Sequence, residues 1–82
     1  LGLTISPNPA RFETTITAEG ISMYATLLIH DAKGNLISSQ TNMAEGSSFR
    51  WKLDVSAWAP GNYLVTMQSA NGKVTKRLVR VG

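Results

Sequence analysis

The chain has 82 residues, of which 43% are apolar, with no cysteine and a formal net charge of +3. This length suits one domain rather than two, and a domain of this size buries only about 60% of its unfolded surface, so its stability margin is narrow. A chain without cysteine has no disulfide framework, no thiolate zinc site and no thiol catalysis. No apolar run approaches about 18 residues, so no helix is expected to cross a membrane. The chain starts at Leu1 without a basic-then-apolar leader, and it reads as part of a longer protein.

Short β-prone runs follow one another, separated by turn residues. Leu1–Ile5 alternates and stops at Pro7-Asn8-Pro9, because proline brings no N–H to a ladder. Glu13–Ala18 is rich in Thr and Ile, and Glu19-Gly20 breaks it. Ala25–His30 is mostly apolar, as expected of a strand buried on both faces. Asp31 followed three residues later by Gly34 suits a type I turn with a glycine bulge, and Leu36–Gln40 returns as the hairpin partner. Asn42–Ser47 is expected to be a mobile loop.

Ser48–Val55 alternates most cleanly: Phe49, Trp51, Leu53 and Val55 share one face, while Arg50, Lys52 and Asp54 share the other. Pro60-Gly61 resets the chain, after which Tyr63, Val65 and Met67 line another buried face. Asn71-Gly72 predicts a type I′ hairpin turn with positive φ at both positions, leading into Lys73–Val81. About seven strands with this punctuation predict an all-β fold, an immunoglobulin-like antiparallel sandwich.

Charge is unevenly distributed. Residues 1–54 carry four cations and five acids, whereas residues 55–82 carry Lys73, Lys76, Arg77 and Arg80 and no acid. A basic last strand can meet an anionic partner or simply guard an edge against aggregation. On strand parity Lys76 and Arg80 project together, with Arg77 on the other face. No aromatic residues interleave these cations, which argues against nucleic acid.

No catalytic constellation is visible. His30 is the only histidine and has no cysteine or second imidazole to complete a metal site, so no metal or cofactor is expected. Ser56, His30 and Asp54 lack any supporting nucleophile motif. Asp31 reads as a turn former, and Asp54 as a hydrogen-bonding partner of nearby backbone such as that of Ser56. Trp51 belongs to the apolar face. Trp58 either plugs one end of the sandwich or serves as a contact residue.

Four stretches together resemble the C-terminal sorting domains of the type IX (Por) secretion system of the Bacteroidetes. They are Pro7-Asn8-Pro9, the Asp31–Gly34 hairpin, the run from Asp54-Val55-Ser56 to Gly61-Asn62-Tyr63, and the basic closing strand after Asn71-Gly72. Ser6, His30, Asn35, Trp58 and the ending Arg80-Val81-Gly82 depart from the family's usual residues. The resemblance implies that residues 1–82 form one sorting domain at the C-terminal end of an exported protein. It implies passage through the periplasm and recognition by the outer-membrane translocon and its shuttle proteins. Delivery would be to the cell surface or medium, often with removal by a sortase-like cysteine protease and attachment of the cargo to anionic lipopolysaccharide. Lys73, Lys76, Arg77, Arg80 and Trp58 are the expected contact residues. The rival readings are an immunoglobulin-like adhesion or carbohydrate-binding module, with Trp58 and Tyr24 as its aromatics, and a plain spacer.

Overall fold

The computed structural model describes residues 1–43 and 46–82. Within them lie β1 (Gly2–Ser6), β2 (Glu13–Glu19), β3 (Tyr24–Asp31), β4 (Leu36–Met43), β5 (Ser48–Asp54), β6 (Gly61–Ser69) and β7 (Gly72–Arg80). All ladders are antiparallel, in a three-stranded sheet ordered β1-β2-β5 and a four-stranded sheet ordered β4-β3-β6-β7. The chain changes sheet after β2, β4 and β5. The expected all-β sandwich forms, and the strand order is information that periodicity could not supply.

Period-two patterning builds the core. Leu3, Ile16, Ala18, Trp51 and Leu53 of one sheet meet Ala25, Leu27, Ile29, Tyr63, Val65, Met67 and Leu78 of the other. The outer face of the four-stranded sheet is not covered in the same way. Leu28 is only half-buried, so β3 has one buried face rather than the two its apolar run suggested. Threonine pairs decorate that outer face, with hydroxyl contacts of 3.0 Å between Thr26 and Thr41 and 2.9 Å between Thr66 and Thr75.

Asp31 builds the β3–β4 turn as expected. Its Oδ1 accepts from the backbone N–H groups of Lys33 and Asn35, both at 2.9 Å, while Gly34 adopts a φ of 89° and donates to the Asp31 carbonyl. The β6–β7 turn differs from expectation. Ser69 pairs with Gly72, so the two-residue loop is Ala70-Asn71, and Asn71 does not take the positive φ of a type I′ turn. The Asn71 side chain is committed elsewhere: Nδ2 donates to the Gly20 carbonyl at 2.7 Å and Oδ1 accepts from the Ser69 hydroxyl. These tethers select a register two residues away from the expected one, which keeps every side chain on its face. The expected loop at Asn42–Ser47 also begins later than foreseen, because Asn42 and Met43 continue β4. Residues 44 and 45 of that loop lie outside the described residues.

Seven alternating strands send β1 and β7 in the same direction. Leu1 lies beside Gly20 and Gly72, at the end of the 35 × 22 × 16 Å body opposite Arg80.

The segment after β1 straps down the free edge of β7. Pro7 and Pro9 offer no N–H, so the side-chain amide of Asn8 pairs in place of the backbone. Its Nδ2 donates to the Arg77 carbonyl at 2.8 Å and its Oδ1 accepts from the Val79 N–H at 3.0 Å. Ala10 then takes over with backbone bonds to the Val79 carbonyl (2.8 Å) and from the Val81 N–H (2.9 Å). The Thr14 hydroxyl donates to the Pro7 carbonyl at 2.7 Å and fixes the strap to β2.

Replacing Asn8 with Ala removes both strap bonds of its amide, each worth about 0.5–1.5 kcal/mol net. Urea denaturation of Asn8→Ala should show a lower midpoint at unchanged m, with Asn8→Asp, which keeps the acceptor, falling in between.

Candidate functional site

β7 carries the basic cluster, and its alternation sorts the cations. Lys73 and Arg77 stand on the outer face, opposite Gln68 and Leu64 of β6. Lys76 has the inner parity of Val74 and Leu78 but stays exposed, because it opens into a shallow cleft between β1 and β7. That cleft, about 260 Å³, is lined by Leu3, Thr4, Ile5, Asn8, Lys76 and Arg77.

Arg80 follows a different course. It shares the parity of Lys76, as the sequence implied, yet that face turns inward and Arg80 is only 9% exposed. Its Nε donates to the Val55 carbonyl at 2.7 Å, one terminal nitrogen donates to the Ser56 carbonyl at 3.2 Å, and the other donates to the Val81 carbonyl. No carboxylate is among these partners. The planar fork of an arginine can serve several carbonyls at once, which the ammonium of a lysine cannot do in the same geometry. The sequence placed Arg80 among the contact residues, whereas the structure places it inside as a clamp between β7 and the β5–β6 connection.

That connection is ordered from within. The Asp54 carboxylate accepts from the Ser56 hydroxyl at 2.6 Å and from the Ser56 N–H at 2.9 Å. Both bonds favour the ionised form, so the Asp54 pKa lies below the usual carboxylate value, the side-chain bond contributing most. Asp31 is lowered likewise, first by the Asn35 N–H and then by the Asn35 side-chain amide. Trp58 is half-buried, its ring 4.8 Å from that of the buried Tyr63, whose hydroxyl donates to the Ala59 carbonyl. Gly61 opens β6 with a φ of 149°.

The motif residues therefore act mainly on the fold. Pro7, Asn8, Pro9, Asp31, Gly34, Asp54, Gly61 and Tyr63 gather with Trp58 and Arg80 at one end of the sandwich. Asn71 and Gly72 lie at the other end with Leu1. Lys73, Lys76 and Arg77 remain as the exposed cations of the closing strand. Among the described residues no group of three or more His, Cys, Asp or Glu could hold a metal, and no helix is long and apolar enough to cross a membrane. Trp51 is core, as expected, and its indole N–H has no hydrogen-bond partner. Sequence reasoning missed the strap role of Asn8 and the clamp role of Arg80. The one available signal was the parity of Arg80 with the apolar Val74 and Leu78.

The family model of the secretion system C-terminal sorting domain matches residues 4–81. The chain belongs to that family. No curated protein and no solved structure gives a significant match. The sorting domain is a signal for type IX secretion, directing protein across the outer membrane toward the cell surface or the medium. Nothing favours an adhesion or sugar-binding module. Tyr24 opens β3 at the Leu1 end and Trp58 packs at the other, so the two aromatics of that reading share no platform.

Two predictions separate the clamp from the contact residues. Arg80→Met leaves the Val55 and Ser56 carbonyls without their donor and should cost about 2–3 kcal/mol, given hydrogen bonds from a charged group worth about 1.5–3 kcal/mol. Single alanine changes at Lys73, Lys76 or Arg77 should stay within about 0.5 kcal/mol, as chemical denaturation will show. The lowered pKa values of Asp31 and Asp54 set the acid limb. Stability from a depressed carboxylate is fully present above its unfolded value of about 3.9 and is lost as pH falls through the lower folded value. Thermal melts should give a Tm insensitive to these groups at neutral pH and declining below about pH 4, with a shallower decline for Asp54→Asn.

Proposed function

We propose that the type IX machinery reads this sorting domain as a folded surface, through Lys73, Lys76 and Arg77 along the edge of β7. The observation that carries this reading is the division of the basic strand. These three cations are exposed at one edge, while Arg80 is buried in holding Val55 and Ser56. Lys76 and Arg77 at the β1–β7 cleft, with Lys73 further back along the strand, form a run of one sign that attracts an anionic patch and raises the rate of encounter more than the final affinity. The strap gives that cluster a fixed backbone, since Asn8 is bonded to the peptide carbonyl of Arg77 itself.

In this reading the partner is an acidic face of the outer-membrane translocon or of its shuttle proteins, met in the periplasm. The cargo precedes Leu1 and leaves from the end of the sandwich opposite Arg80, where β7 begins. Removal by a sortase-like cysteine protease and transfer of the cargo to an anionic lipopolysaccharide would take place on that preceding segment. Trp58, half-buried with its ring tilted against that of Tyr63, supports the end of the domain. The domain acts by being recognised and catalyses nothing.

The test is export of a periplasm-directed fluorescent reporter fused ahead of residues 1–82, in a bacterium that has the pathway. The triple change Lys73→Glu, Lys76→Glu and Arg77→Glu should leave the reporter in the periplasm while the domain melts normally. Arg50→Glu with Lys52→Glu, on the exposed face of β5, should be exported as before. Normal export of the triple variant would remove the basic edge from recognition. Loss of export in both variants would point to charge in general rather than to this edge.

A further inference from the structure

β4 is unlike the other edges of the sandwich. β7 is strapped and basic, β5 carries Arg50, Lys52 and Asp54, and β1 is a five-residue strand ending at Pro7. β4 is eight residues long and exposed along almost its whole length, and Leu36–Met43 contains neither a charge nor a proline. Natural edges are usually blunted by lysine, proline or a bulge, because an open row of N–H and C=O groups recruits another strand. Here a bulge at Ile37 is the one such device, and it leaves Ser38–Met43 in regular register with β3.

The pattern on β4 is self-complementary. Ser38, Gln40 and Asn42 stand opposite the buried Ile29, Leu27 and Ala25, so they share the inner face, yet they overhang the three-stranded sheet and reach solvent. Ser39, Thr41 and Met43 share the outer face, opposite Leu28, Thr26 and Tyr24. Two copies joined antiparallel about a twofold axis must place same-face residues opposite each other. Centring the axis on Gln40 achieves this: Gln40 meets Gln40, Ser39 meets Thr41, and Ser38 meets Asn42. Met43, 73% exposed, then meets Ile37, 42% exposed, at both ends of the contact. Amides and hydroxyls pair in the middle, and each exposed apolar side chain finds an apolar partner.

We propose that β4 is a self-pairing edge, through which two copies join antiparallel about Gln40 and continue the four-stranded sheet of one copy into that of the other. The occupant is a second copy because the edge carries no charge with which to select a foreign strand and none with which to repel itself, although each chain bears +3. In the order β4-β3-β6-β7 the basic edge is the one furthest from the contact, so pairing leaves both basic clusters open. This inference does not depend on how the secretion machinery reads the domain.

The chain has no cysteine, so Gln40→Cys supplies a single thiol at the axis. Directly opposite residues bring Cβ atoms to about 4.5–5.5 Å, close to disulfide reach, while Met43→Cys faces Ile37 and keeps the thiols of the two copies at opposite ends of the contact. Gentle oxidation should crosslink Gln40→Cys several-fold faster than Met43→Cys, increasingly so with protein concentration. Sedimentation velocity of the unmodified chain should show a concentration-dependent dimer, weakened at least about fivefold by Gln40→Lys, which sets like charges opposite each other. Melts at dilute concentration should be unchanged by that substitution. A chain that sediments as a monomer at its highest soluble concentration overturns the proposal, as do equal crosslinking of the two cysteine variants and equal association of Gln40→Lys.

Discussion

The sandwich depends on one side chain acting as a peptide. Pro7 and Pro9 bring no backbone donor, and Asn8 supplies an N–H and a carbonyl oxygen from its side-chain amide to the edge of β7. Without it, the edge of β7 would keep only the two backbone bonds of Ala10, to Val79 and from Val81, and Arg77 would have no partner in the strap. Apolar contact between the two sheets is non-directional, and along that side Asn8 and Ala10 together add the directional bonds. A directional bond at this seam is what fixes β7 against β1 rather than somewhere near it.

Arg80 completes the same seam from the other end of the strand. Burying a guanidinium without a carboxylate is costly, and the compensation is that its donors reach the carbonyls of Val55, Ser56 and Val81. Val55 and Trp58 already seat the β5–β6 connection against the core, and the guanidinium adds directional bonds to its backbone. The result is a strand whose chemistry changes along its length. Its first part holds cations in water, and its last part uses one as internal scaffolding.

Alternation made the strands of this chain legible, and Asp31 with Gly34 announced its own hairpin in four letters. Alternation is a local property, so it carried no account of which strands would pair across sheets. The β6–β7 turn was misread because Asn71-Gly72 is a strong local signal that a distant carbonyl, that of Gly20, overrides. Arg80 was placed outside because charge is normally a marker of solvent. Only the partner carbonyls, more than twenty residues away in the chain, reveal the exception. The apolar run of β3 suggested two covered faces, and nothing local says that the second layer ends one sheet away.

The odd number of strands has a mechanical meaning. The start of β1 and the end of β7 lie at opposite ends of the body, with the two strands running the same way and the strap between them. Tension between those two points would act along the strands, so the clasping bonds of Asn8 and Ala10 would be sheared together instead of being peeled one after another. Unfolding under load is governed by the height of the barrier and not by equilibrium stability. A small domain with a narrow margin can therefore still hold together under a pull applied between its two ends.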